Sequence, residues 1–290
     1  MRSRSSSGYS SVARASASFY EVLAAALRDM RQHGFDSQAR VDFWAAQLRE
    51  AAERMTGSAA RAQGRLRDAL QAIYRQQVDR GGVLTRTNAS RFTLEIVAPA
   101  LRGELDRRIA ASAELIKLNR QEAIDKTLRR FRGWATSIPA GGSPAHTREE
   151  TKLLRRGLKS LPFEERRLLV DQGHKLNAAI SETVAVGGAA IAAVWHSHWR
   201  QANYDYREAH KERDQVVYLL RGSWAAERGL VRPGDGGWLD DVTRPGEEPF
   251  CRCYLTWLYN LRQLPTDMLT SRGRDALAEA RKDSALEEVA

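Results

Sequence analysis

The sequence predicts an α+β fold: a mostly helical N-terminal region, then a small mixed α/β C-terminal module with a few short strands. Three observations carry this. Apolar residues recur at helical spacing from Phe19 to Trp134. A break rich in Pro and Gly, Ser137 to Ala145 (SIPAGGSPA), then interrupts the pattern. Beyond Gly187-Gly188 short runs of β-branched and aromatic side chains take over, punctuated by Gly, Pro and Asp. At 290 residues the chain is long enough for one large or two modest domains with a real hydrophobic core.

Taken in order, residues 1–18 (MRSRSSSGYSSVARASAS) almost lack large apolar side chains and are expected to form a flexible Ser/Arg-rich arm. A basic helical domain is expected over 19–136. Phe19, Val22, Leu23, Ala26, Leu27 and Met30 make its first stripe, and His33-Gly34 a stop. Val41, Trp44, Leu48 and Met55 make a second stripe; Leu66, Leu70, Ile73 and Tyr74 make a third, ended by Gly81-Gly82. Phe92 to Val97 reads equally as strand or helix, whereas Leu101, Leu105, Ile109, Leu128 and Phe131 indicate helix up to Trp134. Residues 137–146 form the expected linker, and Thr147-Arg-Glu-Glu150 after it is a capping box. Helices are expected over 147–186, one of them closed by Pro162. A strand-containing part spans 187–262, with strands near Ala189–Trp195, Val216–Leu220 and Phe250–Tyr259. The C-terminal module as a whole runs from 147 to 265, and a polar tail from 266 to 290.

Charge divides at the same boundary. Residues 1–134 hold 24 Lys/Arg against 14 Asp/Glu, while 135–290 hold 22 of each, so the whole excess of +10 lies in the N-terminal half. A one-sided positive field suits an anionic partner, DNA or an acidic protein surface, although solvated helix faces give the same count. The apolar run that includes Gly187 to Trp195 falls well short of the ~20 residues needed to cross a bilayer, so no membrane partner is expected. The basic N-terminus lacks the apolar stretch of a secretory signal, which makes the cytoplasm of the producing cell the expected compartment.

The only cysteines, Cys251 and Cys253, are separated by one residue; extended geometry puts their Cα atoms near the upper limit for bridging, so a disulfide between them would be strained. They are inert, redox-active or metal ligands. On a strand both project to one face, as do His196 and His198. With His210 these residues offer tetrahedral nitrogen and sulfur ligation suited to zinc. The expected ligands are His198, His210, Cys251 and Cys253, with His196 and Asp205 as alternates. The competing expectation is a buried pair of small thiols beside Tyr254 and Trp257. Asp205 to Asp214 reads locally as a solvated helix with i, i+4 ion pairs. The aromatics of the last third, Trp195, Trp199, Trp224, Trp238 and Trp257 among them, read mainly as core. No nucleophile elbow, P-loop or dinucleotide fingerprint is present, so no catalytic residue is assigned and the chain is not expected to be an enzyme.

Three stretches together resemble the C-terminal module of phage head-morphogenesis proteins, the minor head proteins of Mu-like and related tailed phages. They are Trp195-His-Ser-His-Trp to Arg213, Gly222 to Leu230, and Glu248-Pro-Phe-Cys251-Arg-Cys253-Tyr. Asp205, Arg207 and His210 supply the family's Asp-x-Arg-x-x-His segment, and Cys251, Arg252 and Cys253 its closing Cys-Arg-Cys. The likeness spans about residues 189–262; His196-x-His198 lies outside the pattern. It implies a low-copy virion assembly factor of the phage head, made in the host cytoplasm. Its implied partners are the portal protein and capsid or scaffold components, and its implied role extends to DNA packaging or ejection. Two alternatives remain open. One is a metal-dependent nuclease or transferase using His196, His198, His210 and Asp205. The other is a non-specific DNA-binding protein built on the basic helices.

Overall fold

The computed structural model describes residues 18–141 and 147–287. The expected arm other than Ser18, the second half of the linker, the side chains of the Thr147 capping box and the last three residues lie outside. About two thirds of the chain is helical, with a small three-stranded antiparallel sheet near the C-terminus, an α+β fold. It divides into two compact units, each assembled from two stretches: 1–64 with 113–166, and 65–112 with 167–290. This differs from a sequential division at 137–146. The chain changes unit inside helices, which carry no turn signal for a reader of sequence to find.

The first unit is all helix. α1 (Phe19–His33) starts at a capping box in which Ser18 and Glu21 satisfy each other's backbone N–H groups, and it ends at Gly34 with φ of 69°. α2 (Gln38–Thr56) packs against it. Arg40 and the Trp44 indole N–H both donate to Asp29, at 2.9 and 2.7 Å, which pins the helix pair. α3 (Ala59–Tyr74) begins in this unit. The far half of α5 (Arg91–Thr136) adds Ile124, Leu128, Phe131 and Trp134, and α6 (Thr147–Lys159) adds Leu154 and Leu158, around Phe19, Leu23, Met30 and Leu48. Phe92 to Val97 is therefore helix. The 46-residue α5 has no continuous apolar stripe, because its two halves serve different cores.

The second unit holds the end of α3, a π-helical turn at Arg75–Asp79, the short α4 (Gly82–Thr87), the first half of α5 and most of α7 (Leu161–Gly187). Pro162 opens α7 rather than closing α6, since a first-turn proline has no intrahelical N–H to lose. The sheet follows: β1 (Ala192–His196) lies between β2 (Val217–Leu219) and β3 (Tyr254–Leu258), with Ala193 opposite both Tyr218 and Trp257. Alternation along β1 gives the sheet two buried faces. Ala192, Leu219 and Leu258 meet Leu261, Met268 and Leu269 on one; Ala193, Trp195, Tyr218 and Trp257 meet Ala185, Leu239, Cys251 and Cys253 on the other. Trp195 is fully buried, which removes roughly 200 Å² from water, about 5 kcal/mol of gross transfer free energy. Single turns α8 (Glu208–Glu212) and α9 (Trp224–Glu227) and the terminal α10 (Ser271–Glu287) complete the unit. The 205–214 run is thus not one helix: only one turn forms, because Asp214 instead holds the chain that leaves β1.

Candidate metal centre

The centre lies against the second face of the sheet. Where the chain leaves β1, Asp214 accepts from the Ser197 backbone N–H at 2.8 Å and from the Trp199 indole at 2.9 Å. Arg207 then stands in extended conformation immediately before α8, and that single turn directs His210 inward. Opposite it, the segment 248–253 is irregular, and the cysteines precede β3 rather than lying on it. Phe250 has φ of 60°, a left-handed conformation that costs a non-glycine residue about 1 kcal/mol or more. Three contacts hold it there. Its N–H donates to the buried Asp171 of α7 at 2.5 Å, its ring lies 4.0 Å beneath the Arg167 guanidinium, and its carbonyl accepts from the Tyr204 hydroxyl at 3.4 Å. That hydroxyl also accepts from the Arg252 N–H at 3.2 Å.

This geometry gathers three potential ligands. His210 Nδ1 is 3.7 Å from Cys251 Sγ and 3.6 Å from Cys253 Sγ, near enough for the three to hold a metal ion. All are buried, at 3%, 2% and 7% exposure. On the far side of the imidazole, Nε2 lies 3.3 Å from Glu248 Oε2, and Arg207 Nε stands 2.6 Å from the same oxygen while its other nitrogen donates to the Pro249 carbonyl at 3.0 Å. The imidazole–carboxylate approach has the distance but not the alignment of a hydrogen bond. A carboxylate behind a histidine, itself held by another group, is the arrangement that orients metal-binding imidazoles.

The thiols titrate as a pair. Cys251 is pushed down to about 5, because the Cys253 thiol donates to its thiolate and the Gly246 and Cys253 backbone N–H groups and His210 add to this against burial. Cys253 is pushed up, first because its proton is held by Cys251 and then by burial, with Ser197 and Trp195 opposing. The first thiolate thus forms readily, and the second needs a further positive charge beside it.

The other expected ligands stand elsewhere. His198 is not part of the group; its ring tilts against Tyr254 at 5.8 Å. Its strand partner Tyr254 draws His196 away as well: His196 stacks on that ring at 4.7 Å and sits 2.9 Å from Thr256 Oγ1 and 3.1 Å from Gln215 Nε2. Asp205 is exposed outside the group. Conversely, sequence reasoning assigned no role to Glu248 or Asp171. The Glu248-Pro-Phe-Cys251 spacing was a usable signal for the first; the second acts across 79 residues and left none. No protein-family model, curated protein or solved structure matches the chain.

Proposed function

We propose that this protein is a minor head protein of a tailed phage. It is a low-copy, non-enzymatic assembly factor of the virion head whose second unit docks at the portal vertex as a zinc-clasped module. One observation carries the reading. Of the residues behind the resemblance, Arg207 and His210 from one segment and Cys251 and Cys253 from the other converge with Glu248 around three buried donors, while Asp205 stands exposed outside them. The convergence of two segments distant in sequence supports reading them as parts of one module.

Zinc fits the donors. Zn–S of about 2.3 Å and Zn–N of about 2.0–2.1 Å at a tetrahedral angle separate sulfur from nitrogen by about 3.6 Å; the two separations here are 3.6 and 3.7 Å. When bound, zinc supplies the charge that the second thiolate needs and cross-links segments 41 residues apart. Burial of all three donors favours a structural role. The fourth corner of the tetrahedron is the one feature that favours the metal-dependent nuclease or transferase. The basic N-terminal half suits phosphate neutralisation on packaged DNA, and assembly in the host cytoplasm precedes residence in the head.

The test is co-expression with the portal protein of the same phage, followed by size-exclusion chromatography and metal analysis of the peak. Co-elution at a defined sub-stoichiometric ratio, with zinc in the peak, is the expected result. Separate elution overturns the assembly role; co-elution without metal overturns the zinc clasp alone. Nuclease activity lost on chelation would establish the enzyme alternative.

A further inference from the structure

A cavity adjoins the candidate metal centre and shares one residue, Cys253, with it; the charged residues on its lining are ones that the centre does not use. His174, Asn177 and Glu182 recur along one face of α7, and this face lines a cavity of about 520 Å³. Arg86 reaches it from the end of α4, His198 from the segment after β1, and Arg252 from between the two cysteines. The volume lies within the roughly 300–1,000 Å³ of small-molecule sites.

The charges do not balance. Glu182 is the one carboxylate on the described lining, and it is engaged by Arg244. Neither Arg86 nor Arg252 has a carboxylate partner among the described residues; Arg252 lies over the Tyr204 ring at 5.2 Å and 3.4 Å from the Gln201 side-chain oxygen, and the nearest acidic group along the chain is the neighbouring Cys251 thiol. His174 reports the resulting field, since its pKa is lowered first by burial and then by Arg252, with His198 adding to the effect against Asp171 and Cys251. Cations gathered on a concave surface without counter-charge are costly unless an anion enters. Guanidinium forks pair two parallel donors with two oxygens of a phosphate, and Asn177 adds a neutral amide donor.

We propose that this cavity is a phosphate-binding site, formed by Arg86, His174, Asn177, His198 and Arg252. The phosphate belongs to a small phosphorylated molecule or to a nucleic-acid backbone, and the site is independent of any metal at Cys251 and Cys253.

The test is titration calorimetry on the full chain with inorganic phosphate, adenosine monophosphate and a short duplex DNA as separate probes. Arg86→Glu and His198→Ala are compared with Arg228→Glu, an exposed reversal remote from the lining, and metal content is measured in every sample. Saturable binding that Arg86→Glu weakens about tenfold or more, with metal content unchanged, is the expected result. Binding of phosphate or the mononucleotide identifies a small ligand; binding of the duplex alone, lost in the same variant, identifies the backbone. No binding of any probe, or binding equal in wild type, Arg86→Glu and His198→Ala, overturns the proposal.

Discussion

The two units reach order by different means. The helical unit is held by large side chains at regular spacing: Phe19, Leu23 and Met30 from one helix meet Leu128 and Phe131 from another. Its polar pins, such as Arg40 on Asp29, add to a core already continuous. The sheet-bearing unit has strands of five, three and five residues, joined by long irregular segments. Regular hydrogen bonding cannot fix a segment such as 242–253. Side chains do so instead: Arg244 on Glu182, Arg213 on the Thr243 carbonyl, and Asp171 on the Phe250 N–H. Exposed ion pairs contribute little individually, about 0–1 kcal/mol. The difference teaches that where periodic packing runs out, convergent polar contacts take over the constraint.

That contrast is broken most directly at the cysteines. Cys251→Ser is expected to abolish metal binding and to lower the stability of the sheet-bearing unit by several kcal/mol. Hydrogen exchange should then speed up across β1–β3 while α1 and α2 keep their protection; retention of metal, or equal loss of protection in both units, would defeat the comparison. The converse variant is Phe131→Ala, which opens a cavity at a fully buried site and is expected to cost about 3–5 kcal/mol. Metal content should stay unchanged in calorimetry-matched samples, and a parallel fall would show that the two cores are not separable.

Two smaller effects sharpen the picture. Glu248→Gln keeps the shape beside His210 but removes the carboxylate's charge, so metal affinity should drop about 10- to 100-fold in a chelator competition. Unaltered affinity would reduce Glu248 to a partner of Arg207 alone. Ser18→Ala removes the α1 cap and should lower stability by about 1 kcal/mol in denaturant titration, with no change in chelator competition.

Much of the helical unit was legible in the sequence because its information is local. The α1 stripe, its stop at Gly34 and the strand-like runs after Gly188 are all written within a few residues of where they act. Cys251, Cys253 and His210 were legible as donors, because few residue types bind soft metals and these three were scarce and patterned. Their selection was not. His196 and His198 share the Cys pair's i, i+2 spacing, but pairing of β1 with β3 places His196 opposite Tyr254 and spends it on ring stacking.

The amino-acid sequence by itself determined the α+β class, the position of the basic excess and the donor types, since each depends on composition or short-range period. Tertiary structure decided which histidine joins the cysteines, that Glu248 stands behind it, that Asp171 holds Phe250 in its left-handed turn, and that helices rather than a linker carry the chain between units. Each of those depends on contacts across tens of residues, and no local pattern specifies which distant side chain a backbone brings within 4 Å.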